Sequence, residues 1–206
     1  MIIKSTSKAR ERLLQATGDL LWEKCFHAIT LDDICTRANL KKGSFYYFFT
    51  SKAALSVAAL QYLWDTVGKS AYETHFSGAV APLQRMRNFL TWLHRLQCEK
   101  RNQVGYVLGS PFFSLGCELG SREPDISRKL CELQAAQRRY FESAIRDAVT
   151  ENVVEPCDSD AQALYLQALI DGILAEARIM DDIAVLKVLP ELPMVILRLK
   201  SPAGRH

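Results

Sequence analysis

Thr30-Leu31-Asp32-Asp33-Ile34-Cys35-Thr36-Arg37-Ala38, then Asn39-Leu40-Lys41, then Lys42-Gly43-Ser44-Phe45-Tyr46-Tyr47-Phe48, is the stretch from which the rest of the chain can be read. A Thr followed three residues later by an acid is close to a capping box, and Asp32 and Asp33 suit the positive end of a helix. Leu31, Ile34 and Ala38 then share one face. Asn39 stands where a helix ends in a left-handed residue, a role it can fill in place of glycine. A short helix follows from Lys42, and Thr50-Ser51 signals the cap of another that opens with Lys52 and is expected to reach about Tyr72. Two short helices joined by a tight turn predict a helix-turn-helix, whose second helix enters the major groove of DNA.

The chemistry of that second helix strengthens the reading. Lys41, Lys42, Ser44, Tyr46, Tyr47 and Lys52 supply cations and hydroxyls, the groups that bond to phosphates and base edges. Gly43 costs a helix about 1 kcal/mol relative to Ala. That cost makes sense where the backbone must approach another surface closely. From the residues alone, a solvated lysine face and two half-buried tyrosines would account for the same pattern.

Residues 30–55 resemble the DNA-binding signature of the TetR/AcrR family of transcriptional regulators. The family pattern has a Thr opening helix 2 and Ile-x-x-x-Ala within it. A Gly-Val-Ser turn follows, then x-Gly-x-ϕ-Tyr-x-x-Phe and Ser-Lys-x-x-Leu. Here the pattern is met by Thr30, Ile34, Ala38, Gly43, Phe45, Tyr46, Phe49, Ser51, Lys52 and Leu55. Asn39 and Lys41 depart from the usual Gly and Ser of the turn. Asn preserves the left-handed bend, while Lys41 is a poor N-cap and could add a phosphate contact instead. The resemblance implies that Phe45 and Phe49 are core residues and that Tyr46 and Lys52 touch phosphate. Lys42, Ser44 and Tyr47 become the base-edge or groove candidates, and Thr30 caps helix 2 and touches phosphate as well. The implied partner is a double-stranded DNA operator.

Upstream, Ala9, Leu13, Ala16, Thr17, Leu20 and Leu21 recur at helical steps, so a first helix is expected from a Ser7 cap to about Lys24. Lys4, Lys8 and Arg10 either reach phosphates or merely keep the tail soluble. Downstream the spacing stays helical. Pro82 opens a helix ending near Cys98, and the glycines and Pro111 make residues 102–122 a broken region. Pro124 and Asp125 open a helix to about Thr150, Asp158 caps one through Met180, and Asp181-Asp182 starts a last helix interrupted by Pro190 and Pro193. The fold class is therefore all-α, with about nine helices. The family resemblance implies a three-helix DNA-binding domain over residues 1–52, followed by a larger helical effector-binding and dimerisation domain over 53–206.

The body carries two further expectations. Leu164, Ala168, Gly172, Ala175 and Ile179 line one stripe of a long helix, and the apolar last segment, Val195 included, needs cover on more than one side. A second copy of the chain would supply that cover, as the family implies; burial within one chain is the alternative. An unknown small-molecule effector is expected among Trp92, Leu96, Tyr106, Phe112, Phe113, Cys117, Leu130, Gln134, Tyr140 and Phe141, although aromatics at helical spacing also make ordinary cores. Cys117 either senses oxidants or electrophiles or is an inert thiol.

Charge and composition bound the alternatives. Residues 1–52 hold nine Lys/Arg against five Asp/Glu, whereas the remainder is nearly neutral. This asymmetry suits a polyanion contact at one end. No apolar run approaches a membrane span, and the start lacks a signal-peptide core, so a cytoplasmic protein without membrane contact is expected. The six cysteines lie ten or more residues apart, unlike a zinc knuckle or C-x-x-C motif. Neither a metal nor a cofactor is expected. No phosphate-cradling loop, H-E-x-x-H or nucleophile elbow occurs, so an enzyme is not expected; the family resemblance implies a ligand-responsive repressor. The competing classes are a thiol-based sensor of the same fold and an all-α cysteine-dependent enzyme.

Overall fold

The computed structural model describes residues 2–120 and 122–200, with side chains from residue 7. Apart from an isolated bridge between Val154 and Leu199, the regular structure among them is helical. The chain is all-α. Its packing divides into two compact units, one from residues 1–69 with 110–134, the other from 70–109 with 135–206.

The first unit begins with α1 (Ile2–Glu23), followed by a 3-10 turn (Phe26–Ala28), α2 (Leu31–Ala38), α3 (Lys42–Phe48) and α4 (Lys52–Leu63). One wider π turn (Trp64–Gly68) separates α4 from α5 (Lys69–His75), which is where the long helix expected to reach Tyr72 changes its hydrogen bonding. Helix α7 (Pro111–Leu119) and the start of α8 (Pro124–Thr150) complete the unit. Its core is drawn from Leu13, Leu14, Leu20, Ile34, Phe45, Leu55 and Leu60, each at most 2% exposed. α1 and α4 approach closely at Gly18, where an added Cβ would sit 2.9 Å from the Leu63 Cγ. Ser7 lies inside α1 and does not cap it. Lys4 lies outside the described side chains.

The second unit is built on α6 (Pro82–Val104), the rest of α8, α9 (Ser159–Met180), a 3-10 segment (Ile183–Glu191) and α10 (Leu192–Ile196). α6 runs past Cys98 because residues 99–104 hold no breaker; Gly105, at φ 91°, closes it. The broken region thus reduces to a short connection before α7. Gly109 in that connection takes φ 72°, and a Cβ there would meet the Leu174 carbonyl at 3.1 Å. The Gln97 amide fixes Gly109 from both sides, donating to its carbonyl at 3.0 Å and accepting from its N–H at 3.2 Å. Asp158 caps α9 by accepting from the Asp160 and Ala161 amides, as expected. The final segment is mostly 3-10 where a last helix was expected: Pro190 has no N–H to donate, and Pro193 follows three residues later.

Candidate nucleic-acid interface

α2 is capped at both ends. Thr30 and Asp33 form a reciprocal capping box: the Asp33 amide donates to Thr30 Oγ1 at 3.1 Å, and the Thr30 amide donates to Asp33 Oδ2 at 2.8 Å. Hydrogen bonds from the Thr30 backbone and hydroxyl hold the Asp33 carboxyl below its ordinary range. The cap is therefore in place above the usual carboxylate range and is lost only as pH falls through that lowered value. At the other end Asn39 takes φ 51°, ψ 51° and closes α2 through the Cys35 and Thr36 carbonyls.

α1 braces this pair of helices. Arg12 donates to the Asn39 carbonyl at 2.7 Å, fixing the turn between α2 and α3. Arg37 grips both Glu23 oxygens at 2.9 and 2.7 Å, a two-point contact that sets orientation as well as distance. Neither Arg12 nor Arg37 stands out in the sequence, because pairs 27 and 14 residues apart leave no periodic trace.

α3 is short, and Lys41 makes no side-chain cap for it. What holds it is Phe45, buried and packed edge-on to Tyr46, with Phe49 buried behind. Its opposite side faces water. Tyr46 is 65% and Tyr47 74% exposed, Lys41, Lys42 and Gly43 are exposed, and Ser44 is half-buried. Lys42 pairs with Asp32 at 2.8 Å, and that hydrogen bond raises its pKa, keeping it a cation. Lys8 and Arg10 are exposed on α1, and Arg10 lies 5.6 Å from the Phe49 ring centre.

A Cβ added at Gly43 would meet nothing within 4 Å, so the fold itself does not require glycine there. Gly43→Ala is accordingly expected to stabilise α3 by up to about 1 kcal/mol while lowering DNA affinity. Urea unfolding and DNA titration check both signs, and equal or tighter DNA binding would contradict a close backbone approach. Lys52, by contrast, is occupied in this structure. Its ammonium donates to the Phe26 and Ile29 carbonyls, each at 2.8 Å, and sits 4.1 Å from the Phe26 ring centre. Burial lowers its pKa, opposed by the charges of Glu118 and Glu123.

The other candidate residues fall into both units. Trp92 and Tyr140 join an aromatic cluster in the second unit, with Tyr72 stacked on Phe89 (4.2 Å) and on Tyr140 (5.0 Å), and Trp92 against Phe89 (5.4 Å) and His75 (6.1 Å). Burial pushes the Tyr72 phenol well up and the His75 imidazole down. Tyr72, His75 and Phe89 were not singled out in the sequence, although 72 and 75, and 89 and 92, stand at helical spacing. Leu96 is half-buried, and Tyr106 is exposed. Phe112, Phe113 and Gln134 are half-buried in the first unit, and Cys117 is exposed there.

On α9, Leu164, Ala168, Gly172 and Ile179 are exposed and Ala175 is half-buried, while Ala163, Leu166, Ile170, Leu174 and Ala177 face inward. Val195 on α10 is 76% exposed. Among the described residues no helix is long and apolar enough to cross a membrane.

A braced, capped helix pair presenting hydroxyls and cations outward defines a helix-turn-helix DNA-binding protein. Residues 13–59 match the family described as bacterial regulatory proteins, tetR family. The transcriptional regulator AcuR of Cereibacter sphaeroides is 28% identical over 151 residues, covering 69% of this chain and 63% of that protein. The chain therefore spans somewhat less than two thirds of that relative. A TetR regulatory protein from Rhodobacter sphaeroides superposes with a TM-score of 0.80 at 25% identity, over 92% of this chain and 98% of that one. The regulator CifR, solved as a cysteine mutant with operator DNA, shares the fold at 16% identity (TM-score 0.74; 90% and 95% covered). Residues 13–59 thus carry the DNA-binding domain of the tetR family, and the chain shares the fold of TetR regulators.

Proposed function

We propose that the chain is a ligand-responsive repressor that binds a palindromic operator as a homodimer and is released by a small-molecule effector. The observation that carries the reading is the outward face of α3, where Tyr46 and Tyr47 leave most of their surface in water on a helix held only from behind. Large aromatics so exposed on a braced helix suit a partner surface, and the CifR structure contains a 26-base-pair double-strand operator. Ser44, Tyr47 and Lys42 read base edges, while Thr30, Lys41, Tyr46 and the Gly43 backbone contact phosphate. Lys52 contributes through the turn it clamps, or releases that turn to reach a phosphate. Residues 1–52 then form the DNA-binding domain and 53–206 the effector-binding and dimerisation domain.

The apolar strip of α9, with Val195, supports dimerisation through the same surface on both copies. The effector is assigned to the second unit, to the aromatic group around Trp92 and Tyr140 with Leu96 and Tyr106; the other candidates, Phe112, Phe113, Cys117 and Gln134, belong to the first unit. Release requires the effector to bind the non-operator state more tightly. Cytoplasmic action follows from the partner.

The base-reader assignment is tested by substitution. Lys41→Ala is expected to weaken binding to all DNA alike and to reduce the salt slope by about one. Ser44→Ala and Tyr47→Phe are expected to change which operator bases are preferred. Unchanged affinity and preference in both would refute the base-reader roles.

A thiol-sensing variant of this reading has one supporting observation: Cys117 is exposed and directly precedes Glu118, whose contacts reach the turn before α2. Alkylation by N-ethylmaleimide should then release operator from the wild type and not from Cys117→Ser.

A further inference from the structure

The connection between α1 and α2 leaves its peptide groups outside either helix, and buried or half-buried peptide groups need partners. Two charged side chains supply them. The Glu118 carboxylate, on α7, accepts from the Phe26 amide at 2.7 Å, the His27 amide at 2.9 Å and the His27 Nδ1 at 2.8 Å. From the other side the Lys52 ammonium, on α4, donates to the Phe26 and Ile29 carbonyls. The turn is thus held at its amides by an anion and at its carbonyls by a cation, while Phe26 and Ile29 are buried beneath it. Burial pushes the Glu118 carboxyl up, but the hydrogen bonds from His27 and Phe26 outweigh this and leave it below its ordinary value, so it is ionised at neutral pH.

This turn sets where α2 starts, and α2 carries α3 through the Asn39 bend that Arg12 fixes. The carboxylate comes from more than ninety residues further along the chain, from the helix that follows the Gly109 connection. Its grip on the turn therefore depends on where α7 lies. A shift of α7 that withdraws Glu118 leaves two amides without their acceptor, and the turn must then rearrange or take up water.

We propose that Glu118 is a positioning residue for DNA recognition: by capping the Phe26 and His27 amides it makes the setting of the α2–α3 pair conditional on the placement of α7. The inference rests on the DNA-binding reading above and deepens it. Glu118 itself touches no DNA. Its loss should therefore cost sequence-specific recognition, which needs α3 correctly set, more than the non-specific phosphate attraction that any nearby cations provide.

The test uses the full chain and an operator chosen by selection from random DNA. Glu118→Ala is expected to speed amide exchange at Phe26 and His27 and to weaken operator binding about tenfold, the scale of a charge-assisted hydrogen bond. Affinity for unrelated DNA should stay within about twofold, a separation that simple destabilisation would not produce. Glu118→Gln, which keeps the shape and one acceptor oxygen, should fall between wild type and Ala, and it carries the test where the Ala variant unfolds. An operator-to-unrelated-DNA ratio equal to wild type in both variants would overturn the proposal, whether or not exchange accelerates. A wild-type chain that selects no operator would instead sink the DNA-binding reading, and this proposal with it.

Discussion

Gly172→Arg is expected to turn the proposed dimer into a monomer and to lower operator affinity by about 100- to 10,000-fold, the gain that joining two binding modules confers. Gly172 lies on the exposed strip of α9 with Leu164, Ala168 and Ile179, and a Cβ there meets nothing within 4 Å. An arginine therefore fits the free chain without strain. In a two-fold interface the same residue is buried on both copies, so one substitution places two guanidinium groups in the contact, and buried unpaired charge is costly. Helicity and thermal unfolding of the protomer provide the control. Sedimentation showing an unchanged dimer would place the interface elsewhere, and unchanged operator affinity in a monomer would remove the dimer from the mechanism.

The second large effect lies in the core of the reading head. Phe45 is 1% exposed and is the buried anchor of α3, which has neither a side-chain cap nor length to stabilise it. Phe45→Ala should cost about 3–5 kcal/mol, through lost apolar burial and the cavity left behind. A marginally stable protein can lose most of its stability to such a change. DNA binding is expected to disappear at temperatures where the wild type binds, while the proposed dimer through α9 is retained. Retained sequence-specific binding by Phe45→Ala would show that α3 is held by something other than this side chain.

The reading head was legible in the sequence because its determinants are local. The capping box at Thr30 and Asp33, the left-handed Asn39 and the Ser51 cap each act within a few residues, and each is found in place. The helices of the body were legible for the same reason, and so was the small-residue strip of α9. What escaped were features set by distant partners. α6 extends to Val104 because nothing local stops it earlier, and the connection to α7 is fixed by Gln97 and by the backbone of Leu174. The last segment adopts 3-10 geometry because Pro190 interrupts the hydrogen bonding that its apolar composition would otherwise favour. By resemblance, Lys52 is expected to touch phosphate. Its occupation by two carbonyls depends on a turn more than twenty residues earlier, whose other face is held by Glu118. No periodicity marks such a clamp.

Selection of bound sequences from a random pool of double-stranded DNA, at about 150 mM salt to suppress non-specific attraction, tests the central claim most directly. The account predicts enrichment of an inverted repeat whose half-sites are spaced by about one helical turn or a multiple of it, with preference altered by Ser44→Ala or Tyr47→Phe. A folded dimer, reduced and free of added ligand, that enriches no sequence would contradict it.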